Sequence, residues 1–136
     1  MPDITPNMPI VDDSTQEFWD GARRGVLRIK RCTACGRHHY YPRPFCPYCW
    51  NDAVEWVDAS GHATLYTYSV VRQNDMAPFR DRIPYVVAIV DLDEGVRMET
   101  NIVGCPLDAL EVGMKLVVEF QLDESTQFVL PRFTRA

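Results

Sequence analysis

Apolar and polar positions change their period twice along the chain. Phe18, Trp19 and Ala22 recur at helical spacing, which predicts a short amphipathic helix within residues 14–25. Ser14, with Glu17 three residues later, reads as its N-cap and capping box, and Gly25 as the residue just past its end. So short an apolar stripe must pack on another element to be stable. Polar and apolar side chains then alternate from Val26 to Arg31, which predicts a strand, and a second short strand follows over residues 54–57. Asp58-Ala59-Ser60-Gly61 is a turn and a boundary.

Beyond residue 61 the segments 62–72, 85–93, 96–103, 114–122 and 128–133 are all rich in Val, Ile, Tyr and Phe, as strands are. Asp93-Glu94-Gly95 is a tight hairpin signal, and 106–110, followed by Gly113, suits a helical turn. Five strands in so short a stretch predict a small closed barrel, for which the OB-fold is the common five-stranded solution. The connection 73–84 is long for a hairpin, which marks it as a functional surface. The expected architecture is mainly β: a flexible Pro- and Asp-bearing arm over 1–13, an N-terminal helix over 14–25, a metal-held ribbon over 26–60 and an OB-fold barrel over 61–136.

Composition adds limits. The 136 residues carry a formal net charge of −5, the wrong sign for a dedicated nucleic-acid binder. No apolar run approaches the roughly 20 residues of a membrane span, and the acidic, Pro-rich N-terminus does not read as a secretory signal, so a cytoplasmic location is expected. The charge is uneven. Residues 21–44 hold seven of the 14 Lys and Arg and no acid, with His38 and His39 beside them. The barrel segment is acidic on balance.

In a cytoplasmic chain, five cysteines suggest metal binding. Cys32, Cys35, Cys46 and Cys49 form a C-x₂-C-x₁₀-C-x₂-C pattern. Each pair can wrap a tight turn with both sulfurs facing one ion, and Gly36 supplies the positive φ such a knuckle wants. Two knuckles complete a tetrahedron with Zn–S bonds of about 2.3 Å. The spacing defines a rubredoxin-like zinc ribbon. Four thiolates leave no open coordination position, so the ion's expected role is structural. An iron site for electron transfer is an alternative reading of the same spacing. Cys105 stands apart at a strand end with no histidine near it in sequence, and reads as a half-buried thiol. His62 reads as a polar strand-end residue. No nucleotide-binding or serine-nucleophile motif is present, so no catalytic residue is nominated.

The order Phe18-Trp19, then L-R-I-K-R-C-T-A-C-G, then Y-P-R-P-F-C-P-Y-C, then I-P-Y-V-V-A-I-V-D-L-D-E-G-V-R-M resembles the two-part zinc-ribbon and OB-fold family associated with acyl-CoA metabolism, long catalogued as a domain of unknown function. The resemblance covers about residues 15–135. It implies a small accessory subunit of a thiolase-superfamily complex that makes or breaks a carbon–carbon bond beside a coenzyme A thioester, as a thiolase, acyltransferase or retro-aldolase. It also implies that the barrel lies beside the partner's CoA channel and that the reactive cysteine and histidines belong to the partner. With partners of this kind usually dimeric, a heterotetramer is expected. The four zinc ligands carry over without departure.

The resemblance carries over no CoA-binding residue, but the phosphates of CoA want guanidinium groups. In the 72–82 loop Arg72, Arg80 and Arg82 are candidates for them, and Met76 and Phe79 for pantetheine or partner contacts. Trp19, Tyr40, Tyr41, Phe45, Tyr48 and Trp50 are many large side chains for so small a ribbon, and suit an interface. The competing reading is a nucleic-acid-binding zinc-ribbon/OB protein, since OB barrels bind single strands; the acidic barrel speaks against it.

Overall fold

Phe18 and Trp19 decide where the N-terminal helix sits. In the computed structural model, which describes residues 8–136, helix α1 spans Gln16–Arg23 and buries both rings, with Ala22 beside them. Gly25 follows at φ +77° and turns the chain toward the ribbon. Residues 1–7 of the expected N-terminal arm lie outside the described residues.

The start of the helix differs from expectation. Thr15, not Ser14, precedes it, and no side chain caps its free amides. Asp12 acts one turn earlier: its carboxylate accepts the Ser14 amide at 3.0 Å and the Ser14 hydroxyl at 2.7 Å. Ser14 is therefore committed to a turn, and the capping box with Glu17 does not form. Glu17 instead meets Arg24 at 2.9 Å and Arg28 at 3.5 Å.

Three short strands, β1 Arg28–Cys32, β2 His38–His39 and β3 Val54–Asp58, make an antiparallel sheet in the order β2-β1-β3. The remaining strands are β4 His62–Val71, β5 Tyr85–Leu92, β6 Arg97–Ile102, β7 Lys115–Asp123 and β8 Phe128–Arg135. They close into a barrel in the order β4-β5-β6-β8-β7. Closure needs β7 to pair back onto β4, with Ala63 opposite Leu116, and β6 to meet β8 in parallel at Ile102 and Phe133. This is the five-stranded OB arrangement. Strand β4 pairs with both β5 and β7, and an irregularity between Leu65 and Thr67 bends it as a bulge does. Gly61 makes the ribbon-to-barrel turn at φ +84°, where a Cβ would lie 2.7 Å from a Val118 methyl; only glycine fits there.

Apolar side chains from all three parts form one cluster. Phe18 and Trp19 of α1, Leu27 and Ile29 of the ribbon, and Leu65, Val90, Met98, Leu116 and Phe133 of the barrel belong to it. Trp19 stands edge-on to Phe128 at 5.1 Å, and its indole N–H donates to the Tyr41 hydroxyl at 3.1 Å. Tyr40 and Tyr41 both lie within 5.7 Å of the Phe18 ring, centroid to centroid. The ribbon is thus anchored at its base by the barrel's own interior. Replacing Phe18 by alanine leaves a cavity at this junction, and we expect a loss of about 3–5 kcal/mol. Chemical denaturation monitored by far-UV circular dichroism measures it, and a loss below about 1 kcal/mol would contradict a shared core.

Candidate metal centre and barrel cleft

The two cysteine knuckles repeat one local structure. In the first, the Gly36 amide donates to the Cys32 carbonyl at 2.8 Å and the Cys32 amide to the Arg37 carbonyl at 2.9 Å. In the second, Trp50 donates to Cys46 at 2.9 Å and Cys46 to Asn51 at 2.8 Å. Both turns need a left-handed residue after the second cysteine. Gly36 adopts φ +81° at no cost, whereas Trp50 holds φ +64°, a conformation that costs an L-residue roughly 1–2 kcal/mol.

The knuckles bring Cys32, Cys35, Cys46 and Cys49 together, with all four sulfurs within 4.8 Å of one another. The Cys32–Cys49 and Cys35–Cys46 sulfurs are each 3.6 Å apart. A tetrahedron with Zn–S bonds of about 2.3 Å has S···S edges of about 3.8 Å, so the cluster fits such an ion. The Cys35 amide points at the Cys32 sulfur at 3.4 Å and leads the lowering of that thiol's pKa to about 7. The Asn51 amide favours the Cys49 thiolate, but burial and the neighbouring sulfurs push this thiol up to about 11. Four thiolates this close repel one another unless a cation joins them. Cys32 and Cys46 are buried, while Cys35 and Cys49 face outward.

The basic run of residues 21–44 is largely offset in space. Arg24 and Arg28 meet Glu17, Arg28 also meets Asp58, and Arg31 meets Glu55. Lys30 is buried with its ammonium 4.6 Å from the Trp56 ring centre, and burial lowers its pKa. His39, paired with it across the strands, is buried too, and burial followed by the Lys30 charge lowers its pKa. The six interface-candidate aromatics divide. Trp19, Tyr40 and Tyr41 pack on the core. Phe45 and Trp50 stack at 5.4 Å and 12° on the ribbon tip, where Trp50 is 74% exposed. Tyr48 lies beside them under the Arg37 guanidinium, 4.8 Å away.

At one end of the barrel, the 73–84 connection, the β6–β7 connection and the β7–β8 turn enclose a cleft of about 570 Å³. Its walls include Phe79, Tyr85, Ile102, Leu107 and Leu130, and its charged side chains are Arg82, Asp123 and Arg132. Of the loop candidates, Phe79 and Arg82 reach the cleft, and Arg72, Met76 and Arg80 do not line it. The loop is stapled to the barrel by Arg82, whose guanidinium donates to Asp123 at 2.9 Å. Asp123 also accepts the Ser125 hydroxyl at 2.8 Å and the Thr126 hydroxyl at 3.1 Å. Burial would raise the Asp123 pKa, but these hydroxyls and Arg82 outweigh it and lower it.

Asp123, Arg132 and Cys105 are cleft residues that sequence reading did not nominate. Asp123 and Arg132 lie on the paired strands β7 and β8 and Cys105 lies on the connection before them, and no local motif joins the three. Cys105 is half-buried, its thiol donating to the Pro106 carbonyl at 3.6 Å, and the cleft holds no histidine. His62 is exposed at the barrel's opposite edge, its carbonyl accepting from Asp93 at 3.1 Å.

A four-thiol ribbon fused by a common core to a five-stranded OB barrel with a cleft at one end defines a two-part zinc-ribbon/OB-fold protein. The chain belongs to the ChsH2, or DUF35, family: residues 19–55 match its rubredoxin-like zinc ribbon domain and residues 56–121 its C-terminal OB-fold domain. It is 34% identical over 128 residues to a probable enoyl-CoA hydratase alpha subunit of Thermomonospora curvata, covering 94% of this chain but only 39% of that relative. It is 31% identical over 105 residues to the benzoylsuccinyl-CoA thiolase subunit BbsA of Thauera aromatica, covering 77% of this chain and 68% of that one. The solved Ltp2-ChsH2(DUF35) aldolase matches with a TM-score of 0.81 and 34% identity, over 93% of this chain and 98% of that chain. No helix among the described residues is long and apolar enough to cross a membrane.

Three outcomes follow from this geometry. Cys46→Ser removes one of the four sulfurs, and zinc affinity should fall by more than about tenfold, as read by competition with a chromophoric chelator. Acid should release the ion, because thiols that reprotonate cannot ligate. Asp123→Asn should destabilise the chain by about 1–3 kcal/mol at neutral pH, measured by urea unfolding. A carboxyl with a lowered folded-state pKa stabilises above its unfolded value and loses this as pH falls through the folded one. The difference between wild type and Asn variant should therefore vanish only in strong acid.

Proposed function

We propose that the chain is an accessory subunit of a thiolase-like acyl-CoA complex. It docks on the catalytic subunit and helps shape its CoA and substrate channel, while a structural zinc on Cys32, Cys35, Cys46 and Cys49 holds the ribbon rigid. The observation that carries this reading is the match of 93% of the chain to a chain of the solved Ltp2-ChsH2(DUF35) aldolase, joined by the likeness to a thiolase subunit. The absence of a histidine around Cys105 in the cleft fits a subunit that leaves the chemistry to its partner. Arg82 and Phe79, which edge the cleft, are the loop residues assigned to the CoA side; the exposed Met76 suits partner contact. The reading includes a cytoplasmic location and two copies of this chain on a dimeric partner.

The ribbon tip supports docking through a second feature. Trp50 is exposed in a strained backbone conformation, beside Phe45, Tyr48 and Arg37. Trp, Tyr and Arg dominate the energetics of interfaces. Co-expression with a thiolase-superfamily subunit from the same source should yield a stable complex on size exclusion, and the partner's turnover should drop when this chain is withheld. A partner whose activity is indifferent to the chain would refute the accessory role. A salt-sensitive complex with single-stranded DNA would favour the nucleic-acid reading instead. Trp50→Ala should weaken the partner complex by roughly thirtyfold, about 2 kcal/mol, while leaving the melting temperature of the isolated chain nearly unchanged.

A further inference from the structure

A buried histidine at the base of the ribbon has no use for either of its ring nitrogens. His39 on β2 is 2% exposed, and neither Nδ1 nor Nε2 has a hydrogen-bond partner. Positive charge faces it from two sides. Strand β1 places the buried Lys30 directly opposite, and the segment after β2 brings the exposed Arg43 close enough to act on the ring. Neither cation is in an ion pair among the described residues. Trp56 of β3 lies beyond Lys30, against its ammonium. The β3 carboxylates Glu55 and Asp58 are taken by Arg31 and Arg28. Glu99 of β6 acts on Tyr40 and is not among the groups that act on His39. On β2 itself, His38 is opposite Arg31, so its side chain points to the other face of the sheet.

We propose that His39 is an acid-sensitive latch at the base of the ribbon. Neutral, it lets β2 close on β1 beside Lys30. Protonated, it sets a third cation against Lys30 and Arg43 in a space without a carboxylate, which opposes that closure. The next two residues carry the effect to the shared core. Tyr40 and Tyr41 lie 5.7 and 5.5 Å from the Phe18 ring, and the Tyr41 hydroxyl accepts the Trp19 indole N–H. A β2 pushed outward therefore loosens the hold of the ribbon on helix and barrel. Burial, followed by the Lys30 charge, keeps the folded-state pKa of His39 below its ordinary value; the Arg43 backbone favours the charged ring but makes no full hydrogen bond with it. The unfolded chain thus takes up this proton first. The stability His39 permits is complete above about pH 6.5 and falls as pH drops from there through the folded-state value. If the ribbon tip docks as proposed, docking weakens over the same window; the latch does not depend on that reading.

Urea unfolding of the zinc-loaded full chain at pH 7.5 and pH 5.5 tests the latch, with wild type compared with His39→Phe, which fills the site but cannot take up a proton. Protonation of the cysteine thiols acts alike on both chains and cancels in the comparison. Between the two pH values the folding equilibrium constant of wild type should fall by roughly three- to tenfold more than that of His39→Phe. His62→Gln, at an exposed histidine, should follow wild type. A second measurement needs no variant. In wild type, the His39 ring followed by NMR should stay neutral in the folded chain at about pH 6.5. As the pH is lowered further, amides of β1 and β2 should gain hydrogen exchange relative to those of β5. Equal pH dependence of wild type and His39→Phe would overturn the latch. So would a His39 ring that is mostly protonated in the folded chain at pH 6.5, or acid-induced exchange that rises equally in ribbon and barrel.

Discussion

One apolar core shared by three differently built parts is the constraint on which the rest of the structure depends. The helix has two turns, the ribbon three short strands, and neither can bury enough surface to stand alone. Phe18 and Trp19 solve this by reaching between ribbon and barrel, where Leu27, Ile29 and Phe128 meet them. Because the ribbon's base is continuous with the barrel interior, its tip is held out as a rigid projection. The cysteine centre then has only the tip to organise, which four sulfurs around one ion do well. The division of labour is physical: apolar burial joins the parts, and metal–thiolate bonds stiffen the end that has no interior.

Charge follows the same logic of position over composition. The basic run 21–44 looks in sequence like a site for polyanions. In space it is mostly consumed by Glu17, Glu55 and Asp58, by burial of Lys30 against Trp56, and by burial of His39. The barrel, acidic on balance, holds Arg82 and Arg132 in its cleft, with Asp123 the carboxylate beside them. Net charge over a segment therefore says little about which of its charges are offset in space.

The architecture was largely legible in the chain. The C-x₂-C spacings, the alternation within 62–133 and the Asp93-Glu94-Gly95 turn are local signals, and the knuckles and five strands that follow from them lie within a residue or two of expectation. The helix start was misread because Ser14 satisfies a local capping rule that Asp12, two residues earlier, pre-empts. The cleft was half legible. The length of the 73–84 loop flagged it, and Arg82 and Phe79 do reach the cleft. Loop membership alone could not tell them from Arg72, Met76 and Arg80.

By itself the sequence determined the four-cysteine cluster, the five barrel strands and the presence of aromatic side chains beyond what the ribbon's interior can hold. Each is encoded in spacing or periodicity over fewer than about twenty residues. Only the tertiary structure decided which aromatics turn inward, which cations are cancelled, and that Arg82, Cys105, Asp123 and Arg132 share one cleft. Those outcomes depend on barrel closure, which brings the 73–84 loop beside the β7–β8 turn. Closure is a long-range event: it joins β4 to β7 and β6 to β8 across most of the barrel's length, and no local pattern records which side chains it makes neighbours.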